Sequence, residues 1–268
     1  MKILLIGDVI GRPGRAIMQQ CVMPLREEHQ IDVVIANCEN VAGGAGVTPS
    51  TAEELFRSGV DVLTSGNHVW RKREAYELLK LNRRVIRPAN YPNGAPGHGS
   101  TVIETSSGQK VGVLNVMGRV FMEPLDCPFR TAERELERLR LVTSVIIVDM
   151  HAEATSEKVA MGWFLDGKVS CVFGTHTHIP TADERILPQG TAFITDVGMT
   201  GPYDSVIGRR VDQILERFLL NMPHKSDVAE ANIQLRGLLV DVNPTTGKAV
   251  SVTRVTKTME HAVRGTGD

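Results

Sequence analysis

Five short apolar runs in this chain each end in oxygen or imidazole side chains of the kinds that bind metal ions or move protons. Ile3 to Ile6 leads to Asp8, and Asp32 to Ala36 leads to Asn37, Glu39 and Asn40. Val60 to Thr64 leads to Asn67 and His68, Val145 to Asp149 to His151, and Val169 to Phe173 to His176 and His178. Taken singly, an Asp or Asn after a strand is a common cap or turn former. A lone histidine is more often a surface or core residue than a ligand, and His29, His98, His224 and His261 read that way. Five runs that all end alike argue for a joint metal site, because Ser, Thr or Gly would serve equally well as caps. Mixed Asp, Glu, Asn and His ligands suit Fe, Mn, Co or Zn and fit poorly with an all-oxygen calcium cage. In GTHTH the two imidazoles are two residues apart, so an extended backbone would turn them to one side, to reach two neighbouring ions or to bracket one. Glu39 could bridge such a pair, which sits about 3.5 to 4 Å apart. Cys38 is expected to turn away and pack.

Residues this far apart converge only if the fold gathers the strand ends, as open α/β sheets do in the crevice outside the carboxyl ends of parallel strands. The chain alternates apolar runs with amphipathic stretches, the pattern of a buried sheet covered by helices. Helices are expected over Ala16 to His29, Pro49 to Arg57 (capped by Thr48 or Ser50), Lys72 to Lys80, Thr131 to Leu141, Ser156 to Phe164 and Val211 to Leu220. Thr101 to Glu104 and Lys110 to Asn115 flank Ser106, Ser107 and Gly108 and read as an antiparallel hairpin. Glu184 to Leu187, Ala192 to Ile194, Gln234 to Val242 and Val250 to Thr256 add further strands. The expected architecture is a four-layer α-β-β-α sandwich with two mixed sheets. No composition shift marks a boundary, so residues 1–268 read as one domain with a frayed tail from Lys257 to Asp268.

Composition narrows the function. A chain of 268 residues with 30 Lys plus Arg against 31 Asp plus Glu has a formal charge of −1, which offers no electrostatic funnel for coating long nucleic acid. A phosphate substrate at a locally cationic site remains compatible with that balance. Four scattered cysteines without a CxxC pair give no zinc knuckle or disulfide framework. The N-terminal MKILLIGD is too short for a secretory core, and no run approaches 18 apolar residues, so a cytoplasmic location is expected. GDVIGRPGR is spaced GxxxGxxG, not GxGxxG, and no P-loop lysine follows it. That spacing disfavours a nucleotide-cofactor oxidoreductase.

The set GDVIG, NCEN, TSGNHVW, lone His151 and GTHTH resembles the calcineurin-like metallophosphoesterase superfamily, with its pattern DxH, GDxxD, GNH plus an acid, a single His, and GHxH. Within it the sequence is similar to the bacterial YmdB-like 2′,3′-cyclic-nucleotide 2′-phosphodiesterases, which NVMGRVFM (Asn115 to Met122) and TDVGMTGP (Thr195 to Pro202) also match. Ile10 stands where the superfamily has a histidine, Glu39 where it has the bridging aspartate, and Val69 where it has the acid after GNH. The resemblance implies one ion on Asp8, Glu39, Asn40 and His178 and a second on Glu39, Asn67, His151 and His176, with Fe or Mn favoured and Zn or Co also allowed. It implies that metal-activated hydroxide attacks phosphorus while His68 protonates the departing 2′-oxygen. Arg12 and Arg119 are candidate phosphate clamps. The implied partner is a small nucleotide phosphodiester, with RNA ends and self-association left open. The alternative is a regulatory protein that binds a nucleotide or RNA end with incidental turnover.

Overall fold

A computed structural model describes residues 1–223 and 225–259. His224, His261 and the tail from residue 260 lie outside the described residues. In chain order the elements are β1 (Lys2–Ile6), β2 (Asp8–Val9), α1 (Gly11–His29), β3 (Val33–Asn37), α2 (Pro49–Arg57), β4 (Val62–Thr64), a 3-10 turn (Val69–Arg71) and α3 (Glu74–Leu81). There follow β5 (Ser100–Glu104), β6 (Lys110–Met117), α4 (Pro128–Leu139), β7 (Val145–His151), α5 (Thr155–Leu165) and β8 (Cys171–Thr175). The chain ends with β9 (Arg185–Ile186), β10 (Ala192–Ile194), β11 (Met199–Pro202), α6 (Val211–Leu220), β12 (Ile233–Val242) and β13 (Ala249–Thr258).

The strands form two mixed sheets, ordered β2-β11-β12-β1-β3-β4 with β13 on β12, and β5-β6-β7-β8-β10-β9. Alternation along each strand assigns its side chains to layers. Ile3 and Leu5 of β1, with Val33, Ile35 and Val62, face Val113, Ile147, Phe173 and Ile194 of the other sheet in a core between the sheets. Leu4, Ile6, Val34 and Leu63 point the other way, onto Ile17, Met18 and Val22 of α1, Leu55 of α2 and Leu79 of α3. Leu114, Ile146, Val148 and Val172 likewise meet Leu136 of α4 and Met161 and Leu165 of α5. The result is the expected α-β-β-α sandwich.

Local chemistry accounts for the ends of the elements. Thr48 caps α2 and exchanges bonds with Thr51, its oxygen accepting from Thr51 N at 3.3 Å while Thr51 Oγ1 accepts from Thr48 N at 3.0 Å. Gln30 closes α1 in the left-handed conformation, with its N–H returned to the last turn.

Expectations change at two places. Helix α1 starts at Gly11 and not at Ala16, just after Asp8 and Val9, which form β2 parallel to Met199 and Thr200 of β11. Pro13 permits this because the first turn of a helix needs no intrahelical N–H donor there. Lys257 and Thr258 are not frayed, since they pair with Leu235 and Gln234 in β13. Pairing along a neighbouring strand orders a polar segment that has no apolar pattern of its own.

Candidate metal centre

The parallel strands β1, β3 and β4 of one sheet and β7 and β8 of the other bring their carboxyl ends to the same region, where the side chains singled out in the sequence meet. Glu39 lies at the middle, 1% exposed. Its Oε2 is 3.3 Å from His151 Nε2 and accepts the backbone N–H of His68 at 3.0 Å. His151 Nε2 is also 3.2 Å from Asn67 Oδ1 and 3.1 Å from His176 Nδ1. Around the other oxygen, Glu39 Oε1 accepts from Asn40 Nδ2 at 3.2 Å, and Asn40 Nδ2 lies 3.2 Å from His178 Nε2. His178 Nε2 is 3.9 Å from Asp8 Oδ1. The other six candidate ligand residues thus gather around one carboxylate, that of Glu39.

Proton counting shows which atoms are left to bind. The single hydroxyl proton of Thr175 goes to Asp149 Oδ1 at 2.7 Å, so His151 Nδ1, 2.9 Å from that hydroxyl, is the donor between them. In the neutral ring this leaves the Nε2 lone pair facing a carboxylate, an amide oxygen and a second imidazole nitrogen. His178 Nδ1 donates to the carbonyl of Ile207 at 2.9 Å, which likewise frees its Nε2. His176 Nε2, 3.1 Å from Glu153 Oε2, donates outward and leaves Nδ1 turned inward. Electron-pair donors facing one another repel unless a cation or proton lies among them.

Burial and charge show the same demand. Burial pushes the Asp8 carboxyl above its usual range despite His178 and His151 nearby. Its Oδ1 is buried without a hydrogen-bond partner among the described residues, and such a group requires a compensating charge. Burial works against the His151 imidazolium, but Glu39 outweighs it, with Asp8 and Asp149 adding, and raises the ring to about 9. Burial and then the charge of His151 lower His176 to about 3. Burial would raise Glu39, yet His151 and His68 hold it well below the carboxylate range. Ligand atoms of Glu39, His151 and His176 all lie within 4.8 Å of one another. These donors therefore fit a metal ion of the kind that takes mixed nitrogen and oxygen ligands.

GTHTH is not extended. β8 stops at Thr175, and His176 and His178 adopt φ of 97° and 66°. The rings consequently reach different sides of Glu39. Gly66 explains how β4 approaches so closely, because a Cβ there would collide with His151 Nε2 and Glu39 Oε2. Cys38 is buried within the apolar core beneath α1 and α2, as expected. His68 is 29% exposed, and its Nδ1 is 2.7 Å from Asn40 Oδ1. Arg12, in the first turn of α1, and Arg119, after β6, are exposed. Neither guanidinium bonds to the cluster among the described residues.

Sequence reasoning missed the supporting groups. Asp149 accepts from Thr64, Thr175 and Asn37, and burial raises it to about 6. Its signal was visible, a carboxylate inside the apolar run VIIVDMH. Glu153, Thr175 and the buried pair Lys158 and Asp196 carried no comparable signal.

A four-layer α-β-β-α sandwich with a carboxylate, amide and imidazole cluster at its strand ends is the metallophosphoesterase arrangement. The chain belongs to the YmdB-like protein family, whose model matches residues 4–255. It is 44% identical over 261 residues to the 2′,3′-cyclic-nucleotide 2′-phosphodiesterase of Bacillus subtilis, an alignment covering 97% of this chain and 98% of that one. Among solved structures, a hypothetical protein from Thermus thermophilus superimposes with a TM-score of 0.91 at 40% identity, covering 97% of this chain and all of that one. A novel phosphatase from Mycoplasma pneumoniae gives 0.90 at 34% identity, covering 96% and 93%. No helix among the described residues is long and apolar enough to cross a membrane.

Proposed function

We propose that this chain is a metal-dependent phosphodiesterase that opens 2′,3′-cyclic nucleotides to 3′-nucleotides. The observation that carries this reading is the gathering of candidate ligand residues around Glu39, with His151 Nε2, Asn67 Oδ1 and His176 Nδ1 clustered at Oε2, while the Asn40 amide that donates to Oε1 leads on to His178 Nε2 and Asp8 Oδ1. These sets would hold two ions, Fe or Mn before Zn or Co by donor type. When bound, such ions supply a water acidified enough to attack at neutral pH and positive charge opposite the phosphoryl oxygens. The name and 44% identity of the Bacillus subtilis relative support the substrate class.

The remaining work falls to the chain. Asn40 Oδ1 accepts from His68 Nδ1 and fixes the ring, while His68 Nε2 has no hydrogen bond among the described residues. In the imidazolium form that nitrogen carries the proton for the departing 2′-oxygen. Burial lowers the His68 pKa, with Glu39 opposing it, so the ring yields its proton readily. Arg119 follows Gly118, whose N–H bonds to His151 O at 3.0 Å. Gly11 N–H bonds in the same way to Asn40 O at 3.0 Å, so Arg12 and Arg119 each follow a glycine tied to the cluster and both stand as candidate phosphate clamps.

The test is metal analysis of the purified protein, followed by turnover of 2′,3′-cyclic AMP, 3′,5′-cyclic AMP and a phosphomonoester. Cleavage confined to the 2′,3′ ring is expected. A metal-loaded protein that binds 2′,3′-cyclic AMP without turning it over would establish the regulatory binding reading in its place.

A further inference from the structure

We propose that the buried Lys158–Asp196 ion pair, acting through Thr177, is the device that holds His176 and His178 on opposite sides of Glu39. Lys158, Asp196 and Thr177 are thus positioning residues for metal binding, an inference that rests on the metal-centre reading above. Lys158 Nζ is 2.6 Å from Asp196 Oδ2, and both side chains are 1% exposed. The pair is shut away from substrate, so it has no direct part in the reaction. Burying an ion pair is costly unless its remaining hydrogen-bonding capacity is used, and the partners that use it are informative. Lys158 Nζ donates to Thr175 O at 2.7 Å. Asp196 Oδ2 accepts both the N–H and the hydroxyl of Thr177, at 3.2 and 2.7 Å, and Oδ1 accepts Gly198 N–H at 2.8 Å.

Thr177 is the residue between the two histidines, and both of those have positive φ. Non-glycine residues persist in that region only where their surroundings over-determine it. Thr177 gives both of its donors to one buried carboxylate, so the segment cannot relax to an extended form without breaking two hydrogen bonds to that charge. With Thr177 pinned, His176 is turned to His151 and Glu153, and His178 to Asn40 and Ile207 O. Lys158 adds a second grip, on the carbonyl of the residue whose hydroxyl orients His151. One buried pair therefore sets three imidazoles, and both ligand sets depend on it.

The test compares the full-length wild type with Thr177→Val, Thr177→Ser and Asp196→Asn. Each metal-free protein is dialysed to equilibrium against Mn²⁺, and its melting temperature is recorded before metal is added. Valine keeps the shape and the backbone bond and loses only the hydroxyl donor. Thr177→Val should bind Mn²⁺ about 10- to 100-fold more weakly, the range for loss of a group that orients a ligand. Its metal-free melting temperature should stay within about 2 °C of wild type. Thr177→Ser should restore affinity, and a folded Asp196→Asn should lose at least as much as Thr177→Val. Wild-type affinity in Thr177→Val, or no recovery in Thr177→Ser, overturns the inference, and so does an affinity loss matched by a lower metal-free melting temperature. If the wild type itself takes up no Mn²⁺, the metal-centre reading fails and the inference fails with it. If the wild type loads and Thr177→Val loads equally well, only the inference fails.

Discussion

Glu39 is the residue on which the proposed site turns, because its two oxygens contact different candidate ligand residues, His151 at Oε2 and Asn40 at Oε1. If Glu39 bridges the two proposed ions, replacing it with alanine should empty both positions together. Elemental analysis that still found two metals in Glu39→Ala would refute the bridging role. His68 differs, since its ring lies at the edge of the cluster, 29% exposed, with Nδ1 2.7 Å from Asn40 Oδ1 and 3.4 Å from Glu39 Oε1. His68→Ala is expected to keep its metals while turnover of 2′,3′-cyclic AMP falls by about 10²- to 10⁴-fold, the span of general-acid catalysis. Wild-type turnover in that variant would remove His68 from the chemistry. Cys38 shows how closely a neighbour's fate can diverge. It adjoins Glu39 in sequence but packs in the apolar core, where burial pushes its thiol far above the usual range.

Short elements do most of the positioning. β2 is two residues long, yet its pairing with β11 fixes Asp8 beside Met199, and Asp8 Oδ2 in turn accepts the backbone N–H of His176 at 3.0 Å. Neither strand was legible in the sequence, because two to four residues show no periodicity and gain their order from pairing alone. The turn after β4 is equally demanding. Gly66→Ala places a methyl group against His151 Nε2 and Glu39 Oε2, so this variant should fold, by its far-ultraviolet dichroism, and fail to retain metal. Retention of a full metal complement would show that the turn can shift away. At α2, loss of the cap in Thr48→Ala should cost about 1 kcal/mol, measured by denaturant unfolding of the metal-loaded protein, and should leave turnover unchanged.

The whole molecule carries the electrostatic cost of the centre. In metal-stripped protein His151 is raised from 6.5 to about 9, so its contribution to stability is fully present below pH 6.5 and is lost as pH rises through 9. Burial lowers His176 to about 3 and lowers His68 as well, so both complete their exchange below that window. The stripped protein should therefore melt progressively lower between pH 6.5 and 9, and saturating Mn²⁺ should flatten that decline by replacing the proton. A stripped protein whose melting temperature is constant across the window would contradict the charge balance assigned to His151. The sequence by itself determined the layers, since alternating and 3.6-residue apolar patterns state which faces must be buried. It also determined the types of the candidate ligands, since the five strand ends are written in order along the chain. The division of those ligands around Glu39, the non-extended GTHTH and the support from Asp149, Thr175, Lys158 and Asp196 were decided only in the tertiary structure. Each depends on hydrogen bonds between residues well separated in the chain, from 17 positions for Lys158 and Thr175 to 168 for Asp8 and His176. A polar side chain does not reveal in sequence which distant partner will satisfy it.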